Sequence, residues 1–520
     1  MAQAGQRPSA EAAGQGAAPL RAGILAGRAG GAGDGIADPR VTGFLRQDRG
    51  ALAEWFGAPL AARMRHDPGL LRGLLDRDIA AIDRMISAQL DEILHHPRLQ
   101  RLEGSWRGLA WLVDGLDPTS RLKTRLLSAS WAELDRDAAK ASEFDQSGLF
   151  RLVYEAEFGR AGGEPFGLLV VDHELRHMPE RRRPGDGAPV DDVSLLSALA
   201  AVGAASFMPV VLAAAPALLG VDGFGDLALS NDAAASFRDD DHARWRAMAL
   251  REDTRFLCVT MPRVLARAPW RPDPARPDGF RYEEHAPEAR HRTWSVACYA
   301  FAATVARAQA LHNWPADVRG VSTDRVGGGL VQDLPAEPFV LGPETVWNRP
   351  SLDLALTDRQ ERDLVAAGLM PLNTLPYGDA AFAAVHSLQT RVSEAPGRDP
   401  TPAIANRRLS AQINAMLCVS RFAHYIKIMG REMTGSSLTA EEVERRLQTW
   451  LSGYTNASLN AGPDSRARQP LVSSRIKVHE LAGRPGAYGC VIHLQPHHQL
   501  DDVSAVFRLV TGLSAQDAAA

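Results

Sequence analysis

Apolar residues along this chain follow helical, continuous and alternating patterns, and each predicts a different element. In residues 76–96, "DRDIAAIDRMISAQLDEILHH", Ile79, Ile82, Ile86, Leu90, Ile93 and Leu94 recur at helical spacing on one face. That pattern predicts an amphipathic helix ended by Pro97. "RLEGSWRGLAWLVDGL" follows, with Leu109, Leu112 and Val113 at the same period. Strands are predicted at 123–128, 150–155 and 166–171, and strands and helices alternate from there to about residue 390. Residues 193–221 carry no charge and are long enough to span a bilayer, but Gly203, Ser206, Pro209 and Pro216 interrupt them. They predict a buried helix over 194–205 and a buried strand over 207–214, closed by Pro216. Further on, 409–433 predicts a long helix. Thr439 and Glu442 form a capping box that opens another, with Val443, Leu447, Trp450 and Leu451 inward. The C-terminal part turns to alternation. "RIKVHEL" and "AYGCVIHL", joined by "AGRPG", predict a hairpin. In "DVSAVFRLV", Val503, Ala505, Phe507 and Leu509 alternate and predict a strand.

Composition narrows the class. The 520 residues suggest about three domains. Apolar residues make up 45% and charged residues 23%, the balance of a globular protein. A net charge of −4 supplies no basic field for nucleic acid. The cysteines, Cys258, Cys298, Cys418 and Cys490, are too widely spaced for a C-x-x-C site and fit a reducing cytoplasm. The first 35 residues, rich in Ala, Gly and Gln, read as a mobile tail without a secretory signal. "SEAPGRDPTPAIANR", 393–407, is the best boundary. The resulting division is a tail and linker over 1–60, a large region over 61–392 and a C-terminal core domain over 408–516.

Two segments imitate metal chemistry. His173, Glu174 and His177 in "DHELRH" have the H-E-x-x-H spacing, which holds zinc when a helix puts both imidazoles on one face, with the Glu as general base. Here the apolar run "PFGLLVVD" leads straight in and Pro179 follows, so the context is a strand and the side chains do not converge. In "HLQPHHQLDDVS", His493, His497, His498, Asp501 and Asp502 are ligands by type. Adjacent His497 and His498 face opposite ways in an extended chain, however. "DRVGGGLV" lacks the lysine and spacing of a phosphate loop, and no G-x-S-x-G elbow is present. Arg181–Arg183 reads as a solvated loop, His424 as a packed histidine, and Trp106 and Trp111 as core anchors. No catalytic, metal or cofactor site is expected.

Several stretches, in order, resemble the large subunit of the type VI secretion contractile sheath. The strongest is "LDEILHHPRLQRLEGSWRGLAWLV", and others include "FLCVTMPRVLARAPW", "LALTDRQERDLVAAGLMPL", "VSRFAHYIKIMGREMTGS" and "GRPGAYGCVIHLQPHHQLDDVSAVFRLVT". The resemblance covers about residues 75–515. It departs where the family has an arginine before the proline and an aromatic after the P-H of the last motif; here these are Gln495 and His498. Upstream of Asp76 it fades, and the family's helix for a disassembling AAA+ ATPase has no recognisable counterpart.

The resemblance implies a mixed α+β, multi-domain subunit that is not an enzyme. It would pair with a small sheath subunit, join further copies of itself around a hexameric inner tube on a baseplate, and contract in the cytoplasm. It also implies a C-terminal sheet completed by strands from neighbouring subunits. The hairpin positions Ile476, Val478, Tyr488, Cys490, Ile492 and Leu494 are then the candidate partner interface, and "IADPRVTGFL", 36–45, the candidate donated strand. Polar positions such as Arg431, Glu432, Glu441 and Arg445 are candidates for facing the tube. The rivals are a zinc hydrolase built on His173, Glu174 and His177, and an adaptor that binds without polymerising.

Overall fold

A computed structural model describes residues 20–27, 44, 50–179, 189–276, 279–321, 326–342, 345–375, 378–390, 410–433, 438–458, 461–480, 488–497 and 507–513. The chain divides into two compact units. The smaller takes residues up to His96 together with Pro269–Ala286. The larger takes Pro97–Ala268 and Pro287 onward.

The smaller unit is dominated by helix α1, Pro68–Leu94. Its start lies eight residues before the predicted one, because the Asp67 side chain accepts from the Leu70 amide and Pro68 sits at the first helical position. Its single buried residue is Asp78. Arg21 grips that carboxylate through Nε and Nη2, both at 2.7 Å, and Trp55 Nε1 donates to it at 2.8 Å. The Arg21 guanidinium holds the Asp78 carboxyl below the usual carboxylate range.

In the larger unit, helix α2, Pro97–Asp114, carries the "LEGSWRGL" motif. Its buried face is Gly104, Gly108 and Leu112, at i, i+4 and i+8. A Cβ on Gly104 would lie 2.0 Å from the Trp294 carbonyl oxygen, and one on Gly108 would lie 2.0 Å from Ser295 Oγ. The two glycines let the helix touch the short strand Trp294–Ser295. Trp106, two residues past Gly104 and on another face, is 59% exposed, so its assignment as a core anchor is corrected. Trp111 is half-buried and donates to the Asp333 carbonyl at 3.0 Å. Glu103 accepts from Arg267 Nε at 2.7 Å, Arg107 Nε at 2.8 Å and Thr293 Oγ1 at 3.2 Å.

Two predicted strands are also corrected. Residues 123–128 form no regular element; Leu126 and Leu127 are exposed, so no core face holds a strand there. Residues 150–155 are helical, across Gly148–Phe150 and the π-helical Arg151–Phe158. Leu149, Phe150, Val153 and Phe158 are the buried apolar positions, a helical spacing that over 150–155 also permits a strand.

A four-stranded parallel sheet follows: β1 (Leu169–Leu175), helix α3 (Asp192–Ser206), β2 (Val210–Ala214), β3 (Leu257–Met261), helix α4 (Cys298–His312) and β4 (Met370–Pro371), in spatial order β1-β2-β3-β4. The uncharged run thus folds as the predicted buried helix and strand. Val210, Leu212, Leu257 and Val259 join α3 in one core, while Val211, Ala213 and Cys258 join α4 in a second. Both faces are covered, which is why these strands read as continuous apolar runs. Among the described residues no helix is long and apolar enough to cross a membrane.

A third core closes the C-terminal part. Helix α5 (Ile413–Met433) and helix α6 (Ala440–Ser452) pack on an antiparallel sheet of β5 (Leu471–Glu480), β6 (Tyr488–Pro496) and β7 (Phe507–Leu513), in that order. The capping box at Thr439 and Glu442 is present. Val443, Leu447 and Leu451 are buried, with Trp450 packed against them. The fold is mixed α+β, with helices packed around several small sheets.

Candidate assembly interface

Strand β1 separates the residues of the zinc-like segment. The His173 ring stacks on Trp131, centroids 4.0 Å apart, with Nε2 3.3 Å from Asp192 Oδ1. Glu174, its neighbour on the strand, points to the other side and pairs with Arg263, Nη2 to Oε2 at 2.9 Å. His177 lies beyond the strand and stacks on His242 at 3.8 Å; burial pushes its pKa down. Each residue has a separate packing partner. Among the described residues no group of three metal-type side chains converges. In the second metal-like segment, His493 lies within β6 opposite Arg475, and the His497 amide donates to the Pro470 carbonyl. His498, Asp501 and Asp502 lie outside the described residues, as do Arg181–Arg183. The glycine loop is also structural. A Cβ on Gly329 would meet the Phe382 carbonyl oxygen at 2.1 Å, and Gly328 N donates to Asp317 at 3.1 Å. His424 is packed, as expected, with Nε2 donating to the Ser206 carbonyl at 2.9 Å. Burial pushes the Cys418 and Cys490 thiols up to about 12, so they remain protonated and inert at neutral pH.

The six hairpin residues all lie in the C-terminal sheet. Ile476 pairs with Ile492 and Val478 with Cys490, side by side on the face that meets α5 and α6. Ile476, Cys490, Ile492 and Leu494 are fully buried there, while Val478 and Tyr488 are half-buried. Their side chains are spent on the chain's own core. What this sheet can offer a neighbour is its backbone. The candidate donor segment, 36–45, lies almost wholly outside the described residues. Among the polar candidates, Arg431 donates to the Arg160 carbonyl at 3.1 Å and to that of Phe158, so it holds structure together; Glu432, Glu441 and Arg445 are exposed.

The outer edge of β5, away from β6, is where sequence reasoning missed the most. Gln448 Oε1 accepts from the Ile476 amide at 2.9 Å, and its Nε2 donates to the Ser474 carbonyl at 3.2 Å. Glu444 Oε2 accepts from the Val478 amide at 2.9 Å. At the start of the strand, Leu471 N donates to the Tyr454 carbonyl at 3.1 Å and Asn456 N donates to the Leu471 carbonyl at 2.7 Å. The available signal was E-x-x-x-Q on the helix just before a hairpin.

Residues 76–389 match the EvpB/VC_A0108 tail sheath N-terminal domain, and residues 402–513 match its tail sheath gpW/gp25-like domain. The type VI secretion system sheath protein TssC1 of Pseudomonas aeruginosa is 34% identical over 447 residues, covering 85% of this chain and 86% of its own. The chain belongs to the type VI secretion sheath large-subunit family. A solved sheath tail protein of Desulfitobacterium hafniense is 12% identical over 63% of this chain and 61% of its own; its TM-score of 0.28 adds nothing to that assignment. The family is a structural component of the sheath, and neither the hydrolase nor the adaptor reading gains support. In this sheath subunit the L-E-G-S-W-R-G-L stretch is a helix-packing device, with glycines for close approach and Glu103 for anchoring Arg267.

Proposed function

We propose that this subunit pairs with a small sheath subunit, polymerises with further copies around a hexameric inner tube on a baseplate, and contracts in the cytoplasm to drive the tube out of the cell. No bond is broken by the chain; the work comes from the free-energy gap between two packings of the same subunits. The observation that carries the pairing is helix α1. Leu75, Ile79, Ile82, Ile86, Gln89 and Ile93 follow one another at steps of four and three, a coiled-coil seam. Leu75, Ile79, Ile86 and Ile93 are 38–55% exposed. Asp76, Asp83 and Glu92 flank that seam, so it suits an amphipathic helix with basic flanks, which we assign to the small subunit.

Subunits that rotate past one another must stay connected. A strand lent by a neighbour does this through main-chain hydrogen bonds that depend little on side chains. The C-terminal sheet, around the backbone of Ile476, Val478, Tyr488, Cys490, Ile492 and Leu494, is the proposed acceptor, and 36–45 the proposed donor. Residues 1–60 would serve as tail and linker, 61–392 as the large region and 408–516 as the C-terminal core. Recognition by an AAA+ disassembly ATPase would be a further partner contact. The test is co-expression with the small subunit followed by negative-stain electron microscopy. Tubular sheaths are expected. A soluble complex that never polymerises would favour the adaptor, and zinc bound stoichiometrically and lost on His173→Ala would favour the hydrolase.

A further inference from the structure

The C-terminal sheet has two edges, and the chain treats the β5 edge in a particular way. Residues whose amides face outward alternate along a strand, so Ser474, Ile476 and Val478 present their backbone away from β6. A register shift between Leu471 and Ser473 brings Leu471 into the same outward set. At these four positions an outward group is engaged: the amide and carbonyl of Leu471 by the backbone of Tyr454 and Asn456, the Ser474 carbonyl and the Ile476 amide by Gln448, and the Val478 amide by Glu444. The fit has a simple geometric basis. Residues four apart on a helix rise about 6 Å, and residues two apart on a strand about 6.8 Å, so Glu444 and Gln448 match Val478 and Ile476. Gln448 supplies both an acceptor and a donor, as a neighbouring strand's peptide group would. Val443, Leu447 and Leu451, on the adjacent stripe of α6, are buried in the core and fix the helix in place.

We propose that α6, with the Tyr454–Asn456 turn, is a guard that closes the outer edge of β5 to strand addition. A strand lent by another subunit then joins this sheet only on the β7 side. Closure of the β5 edge stands on the hydrogen bonds alone; the choice of the β7 side also rests on the strand-sharing reading above. The guard matters because unpaired edges recruit other chains without discrimination. A subunit that must take lent strands in one place benefits from having a single open edge.

The test uses the full chain carrying Glu444→Ala and Gln448→Ala, read by hydrogen-exchange mass spectrometry over 471–480. Two further amides, those of Ile476 and Val478, should exchange at least about tenfold faster than in wild type. The amides of Lys477 and His479, which face β6, should not change. The variant should also self-associate in sedimentation velocity at concentrations where wild type does not. The swapped pair Glu444→Gln with Gln448→Glu keeps both acceptors and should restore protection, which separates loss of the guard from loss of folding. Unchanged exchange in the alanine variant overturns the guard. Cross-links in wild-type sheaths that place a neighbour's strand beside β5 overturn the closed edge. Sheaths with no shared strand on either side would sink strand sharing but leave the guard standing.

Discussion

In the parallel sheet, β2 and β3 bury every residue, alternate side chains of each strand going to opposite helix layers. In the C-terminal sheet, β5 is buried on one face only: Ile476 is buried, while Arg475, Lys477 and His479 are exposed. The first sheet is finished within the chain. The second has a solvated face along β5, and its β5 edge is closed by side chains and a turn instead of a strand. On the proposed strand sharing, the difference separates a scaffold from a joint. A sheet wrapped on both faces by its own helices has nothing to lend. A sheet held from one side can exchange backbone while its core stays packed.

The largest effect should come from the scaffold. Phe301, on α4, is fully buried and meets Phe382 edge-on at 5.4 Å. Phe301→Ala should cost about 3–5 kcal/mol, seen as a large drop in the thermal midpoint of the purified chain. If it instead left the midpoint unchanged and abolished sheaths, the division into scaffold and joint would be wrong.

Next is the joint. The alternation that turns Ile476 and Val478 outward on β5 turns the amides of Cys490 and Ile492 on β6 toward β7. Cys490→Pro removes one such donor from the central strand, at a cost of roughly 2–3 kcal/mol confined to this sheet. It should abolish sheaths in negative stain, while hydrogen exchange in β2 and β3 stays slow. Normal sheaths in this variant would exclude the C-terminal sheet as a joint.

A pH effect of intermediate size links the two regions. His424, on α5, donates to Ser206 at the end of α3, and burial lowers its pKa to about 4. A neutral histidine with a depressed pKa contributes stability that is complete above about 6.5 and is lost as pH falls toward 4. Between pH 6.5 and 5 the loss from this group is about 2 kcal/mol. His424→Gln keeps an amide donor without the titration, so its thermal midpoint should fall less than that of wild type over this range. Equal falls would show that His424 does not control the acid response.

Much of this scaffold was legible in the sequence, and the reasons are local. Residues 193–221 are uncharged because both their helix and their strand are buried, and their prolines mark the breaks. The hairpin was legible because Ile476 and Val478 alternate with Arg475, Lys477 and His479, and Ile492 and Leu494 flank His493. Residues 150–155 were misread because Leu149, Phe150 and Val153 permit either period over so short a window. The guard was not legible, since Glu444 and Gln448 look like any solvated helix face until β5 is set beside them. Trp106 shows the converse: a large aromatic residue invites a core assignment, but Gly104 and Gly108 decide which face of α2 is buried.

The smallest effect on the chain itself, and the sharpest on assembly, is expected on α1. Ile79 is 55% exposed and Ile86 is 44% exposed. Replacing both with lysine removes little that the lone subunit buries, so its stability should change by no more than about 0.5 kcal/mol per site. The partner, however, loses two isoleucines of the seam, each worth about 1.5–3 kcal/mol when fully covered. Affinity for the small subunit should fall by about 100-fold or more, measured by titration calorimetry or by co-purification at graded salt. Reversing Asp83 to Lys leaves the apolar seam intact and should weaken binding mainly at low salt, since charges near the surface are screened over about 8 Å at physiological ionic strength. A double-lysine variant that binds as tightly as wild type would leave α1 as a solvated helix. The pairing surface would then lie elsewhere on the chain, and the contrast between scaffold and joint would rest on the C-terminal sheet alone.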